Sequence, residues 1–241
     1  MIVFIEFRIE AAVGIINPMN QNVKIRDSLS SSWIVCDTIG EVNINSIIIT
    51  NKTGAADLVF ADNTVIFIDT SALLKISNLD KKTTSIILKK GLILLDKISD
   101  SQQEYIVATP TAKACIRGTT LLIRANNSFT EIAVFEGSVN AGRINDFNDN
   151  SNIKLLSNKQ VVIANDSEPF QITELSEKIK EFYETNSEKI LDRFDYNRNL
   201  MSEKYNIELE KIEDNYDESI KKIKDNYLNE LKRLENDFLD K

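Results

Sequence analysis

The sequence predicts a mainly β fold, either a sandwich, a roll or a solenoid-like stack, followed by a long C-terminal α-helix that forms a coiled coil. Three observations lead to this prediction. Short β-type runs fill residues 9–165, the composition changes near residue 168, and an 11-residue period governs the remainder. We therefore expect two domains, an all-β domain at 1–168 and a long helix at 169–241.

The β part consists of short runs rich in Ile, Val, Leu, Thr and Phe, separated by Asn, Asp, Gly, Ser and Lys. Their spacing of roughly 8–12 residues leaves no room for crossover helices, which excludes an alternating βαβ fold. The clearest predicted strands are Ser46–Thr50, Ala55–Phe60, Thr64–Asp69, Ala72–Ile76, Thr84–Lys89, Leu92–Ile98, Glu104–Ala108, Thr119–Ala125, Phe129–Phe135 and Gln160–Ala164.

Turn residues support this segmentation. Asp62 and Asn63 separate two apolar runs and tolerate the backbone angles of a tight turn. Gly91 divides SIILKK from LILLDK, so we expect a hairpin there as well.

Composition excludes several classes of function. The net charge is −8, and residues 173–241 carry 19 acidic against 13 basic residues, which disfavours nucleic acid and anionic lipid as partners. Histidine is absent, which removes His-activated nucleophiles and His-dependent zinc sites. We expect a non-enzymatic protein without a cofactor or metal. A carboxylate-based hydrolase is the alternative, although no acidic pair is singled out by its setting.

The two cysteines and the chain start leave the compartment open. Cys36 and Cys115 are too few for a disulfide framework, and both a pair of buried thiols and a single disulfide fit. The apolar start is broken by Glu6, Arg8 and Glu10, so it does not read as a signal peptide, and no run is long enough to span a bilayer. The chain is either cytoplasmic or has had a targeting segment removed.

An Asn/Asp-rich stretch at residues 145–152 supplies many oxygen ligands and resembles half of a calcium loop. Ser151 stands at the expected glycine position, and the late bidentate Glu is missing. We therefore interpret the stretch as a solvated loop.

Two glycine-containing motifs carry a family resemblance. Thr109-Pro110-Thr111-Ala112 leads into Arg117-Gly118-Thr119, and two strands later comes Glu136-Gly137-Ser138-Val139. Glycine accepts positive φ angles and proline fixes an extended approach, so we expect turn-forming roles. Arg117 is expected to bond carbonyl groups or a carboxylate such as Glu136. The structural turn residues are Pro110, Arg117, Gly118, Thr119, Glu136 and Gly137.

Over residues 9–142 the chain resembles the FecR-domain family, in which T-P-x-A, R-G-T and E-G-x-V occur in this order. The resemblance implies a non-catalytic, extracytoplasmic domain that binds proteins, and some family members relay a signal from an outer-membrane receptor to a sigma-factor system. This sequence shows no sigma-binding segment or membrane span, so we expect a stand-alone domain of the periplasm or cell envelope.

The helical part follows Pro169, with a predicted start near Thr173–Glu177 and no Gly or Pro beyond it. Aligned at a period of 11, the first position is always Ile, Met or Leu and the fifth is always aromatic, while the ninth becomes apolar only late. We call these residues the stripe. They are Ile179, Tyr183, Ile190, Phe194, Met201, Tyr205, Leu209, Ile212, Tyr216, Ile220, Ile223, Tyr227, Leu231, Leu234 and Phe238.

The stripe predicts association through the helix. At about 1.5 Å per residue the helix is far longer than a β domain of this size, so much of the stripe needs a partner. The candidates are a second copy of this chain, a foreign helical protein or, least favoured for an acidic helix, a membrane surface. The predicted function is an envelope protein in which the β domain binds protein and the helix oligomerises or docks. The alternatives are a structural subunit of an envelope machine, such as a motor or secretion apparatus, and a FecR-type sigma regulator.

Overall fold

The computed structural model describes residues 13–27, 32–80, 82–97, 102–147, 151–164 and 169–239. In these residues the fold is mainly β, with 17 strands followed by one α-helix, which confirms the predicted mainly β fold with a C-terminal helix. The coiled coil stays a prediction. The N-terminal segment 1–12, Ile98, residues 148–150 of the Asn/Asp-rich stretch and the domain boundary at residue 168 lie outside the described residues.

The strands form two sheets that share one long strand, β9 (Thr83–Asp96). Sheet A has the order β4-β1-β6-β7-β9-β12-β13-β16-β17 and is antiparallel throughout its described pairings. Its other strands are β1 (Gly14–Pro18), β4 (Gly40–Val42), β6 (Ala56–Phe60), β7 (Val65–Ile68), β12 (Thr120–Ala125), β13 (Phe129–Glu136), β16 (Lys159–Ala164) and β17 (Ile172–Glu174).

Sheet B has the order β3-β2-β5-β8-β9-β10-β11-β14-β15, with a parallel pairing between β9 and β10. Its other strands are β2 (Val23–Arg26), β3 (Ile34–Cys36), β5 (Ile47–Thr50), β8 (Leu73–Leu79), β10 (Glu104–Ala108), β11 (Ala112–Ile116), β14 (Ser138–Arg143) and β15 (Ile153–Leu156). A short 3-10 helix, Ile144–Asp146, follows β14.

Gly91 allows β9 to pass from one sheet to the other. Residues 83–90 pair with β8 and β10 in sheet B, and residues 91–96 pair with β7 and β12 in sheet A. Gly91 has φ +107°, and a Cβ atom there would lie 2.5 Å from the Ala72 Cα. The prediction of a hairpin at Gly91 is wrong, because the glycine bends a continuous strand instead of reversing it.

Two apolar layers hold the fold together. The larger core lies between the sheets and includes Leu58, Ile66 and Ile93 from sheet A, and Ile48 and Ile86 from sheet B. Alternate residues of the same sheet A strands, such as Val59, point to the opposite face and form a second cluster with the helix. Strands β6 and β7 of sheet A are therefore buried on both faces.

The helix α1 (Glu177–Leu239) has 63 residues and begins inside the predicted start region. The β-sheet continues past residue 169, since β17 immediately precedes the helix. The chain divides into two compact units, Met1–Met201 and Ser202–Lys241, so this division falls within α1. The first unit contains the β domain with the first 25 helical residues, and the second is helical through Leu239.

The described strands outnumber the ten predicted with clear patterns. Strand pairs such as β11 and β14 were missed because they contain several Ala, Gly and Asn residues and lack the β-branched run that marks a strand. Their backbones are nevertheless paired with each other along five residues. Pairing with neighbours, and not local preference, decides the conformation of these strands.

Candidate functional site

The first part of α1 is docked on the outer face of sheet A, and this interface is the candidate site. The strand face supplies an apolar floor, and the helix covers it with side chains that are at most 8% exposed. The floor contains Ile15, Val59, Val65, Phe67, Leu92, Leu94, Leu122 and Ala133, and the covering residues are Ile179, Ile190, Phe194 and Met201, with Leu175 from the preceding segment.

An aromatic contact fixes the start of the docked helix. Tyr183 stacks on Phe135 of β13 with ring centroids 3.8 Å apart and planes 11° from parallel. Burial raises the pKa of the Tyr183 phenol, with further contributions from the Asp96 and Glu136 carboxylates. The neutral phenol is thus favoured at this contact.

A buried ion pair ties the middle of the docked helix to β6. Asp57 is fully buried, and the Arg193 guanidinium donates to both of its carboxylate oxygens, from Nε at 2.5 Å and from Nη2 at 3.1 Å. Arg193 also lies over the Phe67 ring, 5.2 Å from its centroid. Burial raises the pKa of the Asp57 carboxyl, whereas Arg193 and Asn197 act in the opposite direction. The pair therefore depends on good geometry to offset desolvation.

Asn197 extends this ion pair into a buried polar network. Its Nδ2 donates to Asp57 Oδ2 at 2.8 Å, and its Oδ1 accepts from Asn17 Nδ2 of β1 at 2.7 Å. Asn197 is fully buried, so both hydrogen bonds are made away from water. A helix shifted along the sheet would leave these groups unpaired, which fixes its register.

Arg198 makes the last polar attachment before the end of the docked segment. Its guanidinium donates to the Asn63 carbonyl at 3.0 Å, to Asp96 at 2.5 Å and to Asp195 at 2.9 Å. Asp96 is itself held by the Thr120 hydroxyl at 2.6 Å. Arg198 thus joins the helix to the β6–β7 turn and to the end of β9.

The neighbouring residue of that turn, Asp62, reaches into the domain interior. Its Oδ1 accepts from the Tyr105 hydroxyl at 2.7 Å, and its Oδ2 lies 3.5 Å from the Lys97 Nζ. Burial lowers the pKa of Lys97, an effect that Asp62 opposes, and burial raises the pKa of Tyr105 far above its ordinary value. The turn at residues 61–63 is therefore bonded both to the core and to the helix.

The predicted turn motifs lie on a different part of the domain and contact one another. Gly118 and Gly137 have φ +55° and +86°, and a Cβ on Gly137 would lie 2.5 Å from the Gly118 carbonyl oxygen. The Thr119 hydroxyl donates to the Ser138 carbonyl at 2.8 Å. These contacts place the R-G-T and E-G-x-V segments against each other.

Arg117 has a different partner from the one suggested by its sequence. Its Nε donates to the Glu104 carboxylate at 3.1 Å, so it attaches to β10 and not to Glu136. The Arg117 side chain is 78% exposed, which makes this a weak surface pair. Pro110 is half-buried in the β10–β11 connection, where the flanking Thr109 hydroxyl accepts a hydrogen bond from the Ala112 amide at 2.8 Å.

The stripe is used in two ways. Its first members, Ile179, Ile190, Phe194 and Met201, are buried in the chain's own β domain, and Tyr183 is half-buried there. The candidate partners named from the sequence did not include this sheet, because helix periodicity shows that a face needs cover without showing what covers it. Ile220 is 39% exposed, and the side chains of Tyr205, Leu209, Ile212, Tyr216, Ile223, Tyr227, Leu231, Leu234 and Phe238 lie outside the described residues.

Sequence reasoning missed the polar docking residues Asp57, Arg193 and Asn197. A usable signal was present, because Val65–Ile68 and Leu92–Leu95 are apolar without alternation, which is typical of strands covered on both faces. A charged residue within such a sheet, Asp57, then predicts a buried partner.

The described residues include both cysteines of the chain. Cys36 and Cys115 are unpaired thiols on β3 and β11. Among the described side chains no group of three or more Cys, Asp or Glu could hold a metal ion. No helix in the described part of the chain is both long and apolar enough to cross a membrane.

Comparison with known proteins identifies the β domain. Residues 46–140 match the family model described as FecR protein, so the chain contains a FecR domain, as its motifs predicted. No curated protein matches the chain. Two crystal structures of a "putative anti-sigma factor" from Parabacteroides distasonis are similar at 16% identity and a TM-score of 0.48. The matches cover 57% and 56% of this chain, and in both cases 63% of the other protein's chain.

Proposed function

We propose, from the FecR domain at residues 46–140, that this protein is a non-enzymatic regulator that relays a signal in the cell envelope by binding other proteins. The family match at residues 46–140 carries this proposal, because the resemblance to the FecR-domain family implies a protein-binding domain and, in some members, a role in a sigma-factor system. The extracytoplasmic location belongs to the proposal and rests on the same resemblance.

The use of the buried polar groups supports binding over catalysis. Asp57, Arg193 and Asn197 bond one another beneath the helix, while Asp62 bonds Tyr105 and contacts Lys97 inside the domain. Each of these groups is held by a structural partner within the domain. Such ties position elements relative to one another instead of presenting a reactive group to a substrate.

The docked helix supplies a physical route for a relay. The turn at residues 61–63 is bonded to the core through Asp62 and to α1 through the Asn63 carbonyl and Arg198. A partner that shifts this turn changes the contacts that hold the helix. The docked helix makes different contacts when the turn is in its original and in its shifted position. A protein that binds the domain and favours one turn position can therefore change how firmly the helix is docked.

Gene deletion and complementation test this function. Deleting the gene is expected to change a discrete set of transcripts, as loss of a sigma regulator does, and the full chain is expected to restore them. Arg193→Met is expected to restore them poorly, because it weakens helix docking, whereas the matched surface change Asp192→Ala, at an exposed position of the same helix, restores them fully. Unchanged transcripts after deletion would exclude the regulatory role.

The second candidate is a structural subunit of a larger envelope machine, such as a motor or secretion apparatus. The 63-residue helix with its regular stripe favours this candidate, since long helices of this kind serve as fixed docking elements. Cross-linking and co-purification from cells separate the two functions. A structural subunit is recovered at constant stoichiometry with the same machine proteins, and its deletion removes the assembly without altering a set of transcripts directly.

A further inference from the structure

We infer that Ser202–Phe238 pairs in antiparallel orientation with the same segment of a second copy of this chain. This inference rests on the proposed protein-binding function of the helix and names its partner. Two observations carry it: the stripe continues from an interface that is already occupied, and the charges of residues 202–233 are divided into an acidic and a basic block.

The docked repeats establish which helix face the stripe occupies. First and fifth positions, such as Ile190 and Phe194, are buried, whereas Tyr196 at the seventh position is 58% exposed. A period of 11 residues in three turns rotates each residue by roughly 98°, which places the seventh position opposite the stripe. The stripe assigned from the sequence is therefore the face that packs where the partner is known.

The distal repeats differ from the docked ones at the two positions that bond the β domain. The eighth and ninth positions of the second repeat are Asn197 and Arg198, which bond Asp57, Asp96 and Asn63. Their counterparts are Glu208-Leu209, Ser219-Ile220 and Glu230-Leu231. The distal repeats thus replace polar docking groups by a third apolar residue, which widens the apolar face.

A wider, regularly repeated apolar face suits another helix with the same repeat. Knobs-into-holes packing requires apolar side chains at nearly constant spacing on both partners, and a second copy supplies that spacing. Ile220, a ninth-position residue, is 39% exposed in the single chain. A seam formed by two copies covers this residue and the equivalent positions of the partner.

The charge blocks decide the orientation. Residues 202–219 contain seven acidic and two basic residues, a net charge of −5, whereas residues 220–233 contain five basic and two acidic residues, a net charge of +3. A parallel pair in register sets each block against itself. An antiparallel pair brings the basic block of one chain alongside the acidic block of the other, which is the favourable arrangement.

The residues flanking the stripe agree with this orientation. Second and eighth positions lie on either side of the stripe at 98° per residue. A parallel pair in register opposes Glu208 with Glu213 and Glu230 with Glu235, which are like charges. In an antiparallel pair each flank faces the same flank of the partner. In the overlap that sets the basic block against the acidic block, Lys224 lies opposite Glu213, an attractive contact, and the one like-charge contact that remains is Glu208 with Glu230.

Sedimentation equilibrium of the purified full chain tests the pairing. We expect a reversible dimer, with twice the 27.3 kDa chain mass. Ile220→Asp is expected to weaken it by at least about 100-fold, because two charges enter the seam of each dimer. The matched control is Ile207→Asp, since Ile207 is at the seventh position and 51% exposed. It is expected to change the dissociation constant by less than about threefold.

Spin-label distances test the orientation. Single labels at Lys222 or Glu203, both exposed, are introduced in a background with Cys36→Ala and Cys115→Ala. An antiparallel pair gives a distance within roughly 25 Å for Lys222 and beyond roughly 35 Å for Glu203, from the helical rise of 1.5 Å. A parallel pair gives short distances at both positions.

The outcomes separate the inference from the function on which it rests. A monomer at all concentrations, equal effects of the two Asp variants, or short distances at both labels overturns the antiparallel dimer. So does a stable complex in which a foreign helical protein replaces the second copy. A monomeric chain that still restores the transcripts of the deletion strain overturns the dimer alone, whereas a dimer with no effect on transcripts overturns the regulatory function alone.

Discussion

The Arg193 guanidinium donates two hydrogen bonds to the buried Asp57 carboxylate, at 2.5 and 3.1 Å, and thereby joins α1 to β6 of sheet A. The two residues are 136 positions apart in the chain. Asp57 interrupts a strand that is otherwise entirely apolar and buried, so its charge needs this partner. The ion pair therefore makes the docked helix part of the β domain.

Removing one member of this pair is expected to destabilise the protein. Arg193→Met leaves the Asp57 carboxylate buried without a cation and should lower the free energy of unfolding by roughly 3 kcal/mol, the lower end for buried pairs, since Arg193 is 28% exposed. Urea unfolding followed by circular dichroism measures the change. The double variant Asp57→Asn/Arg193→Met should recover more than half of the loss, and a similar loss in Asp192→Ala, at an exposed position of the same helix, would contradict this role of the pair.

Truncating the apolar centre of the helix interface tests its packing. Phe194 is fully buried, so Phe194→Ala should lower the free energy of unfolding by about 3–5 kcal/mol through lost burial and a cavity. Tyr196→Ala is the matched control on the opposite face, where the side chain is 58% exposed, and should change it by less than about 0.5 kcal/mol. Thermal unfolding of both variants measures the two losses of stability. If the helix were not docked, Phe194→Ala and Tyr196→Ala would lower the free energy of unfolding by similar amounts.

The bend in β9 depends on a missing side chain at residue 91. Gly91→Ala combines a positive φ with a Cβ 2.5 Å from the Ala72 Cα, so we expect a loss of about 3 kcal/mol or more, or failure to fold. At Gly40 a Cβ would meet its nearest neighbour at 3.7 Å, an ordinary contact, and Gly40→Ala should be tolerated. Soluble yield and urea midpoint of the two variants provide the comparison, and a stable Gly91→Ala protein would refute the proposed corner.

Tyr105 makes the stability of the protein sensitive to alkaline pH. Its folded-state pKa is raised above the ordinary value of 10.0 by burial and by the Asp62 charge, so the unfolded chain releases this proton first. Stability is therefore lost as pH rises above 10.0, by up to about 1.4 kcal/mol per pH unit from this group.

The lowered pKa of Lys97 acts with the opposite sign below its ordinary value of 10.5, where rising pH relieves the cost of burying its charge. The comparison between the native chain and Tyr105→Phe is thus made above pH 10.5, by urea unfolding at several pH values. A shallower loss of stability in Tyr105→Phe is expected. Identical slopes would show that the Tyr105 phenol titrates similarly in both states.

Local patterns predicted the parts of the molecule that depend on nearby residues. The turn at Asp62-Asn63 is present, with Asn63 at φ +64°, and so are the glycine turns at Gly118 and Gly137. The helix start near Glu177 was predicted because capping and periodicity are properties of consecutive residues. The FecR resemblance was likewise readable, since its motifs are short and lie in order along the chain.

The candidate site was only half predictable. The stripe predicted that Ile190 and Phe194 would be buried, because helical periodicity identifies the apolar face of a helix. It did not predict that sheet A would bury them, nor that Asp57 would meet Arg193. These contacts depend on the order of the strands in the sheet, and that order cannot be read from the local patterns of a single sequence.

By itself the sequence determined the alternation of strands and turns, the positions that require glycine at the R-G-T and E-G-x-V turns, and the face of the helix that must be covered. The tertiary structure decided that Gly91 bends one strand through two sheets and that the first repeats of the helix close the outer face of sheet A. The physical reason is the sequence separation of the interacting residues, because turn angles and helix periodicity are set by neighbours along the chain. The cover for an apolar face, by contrast, is whichever surface the complete fold brings against it.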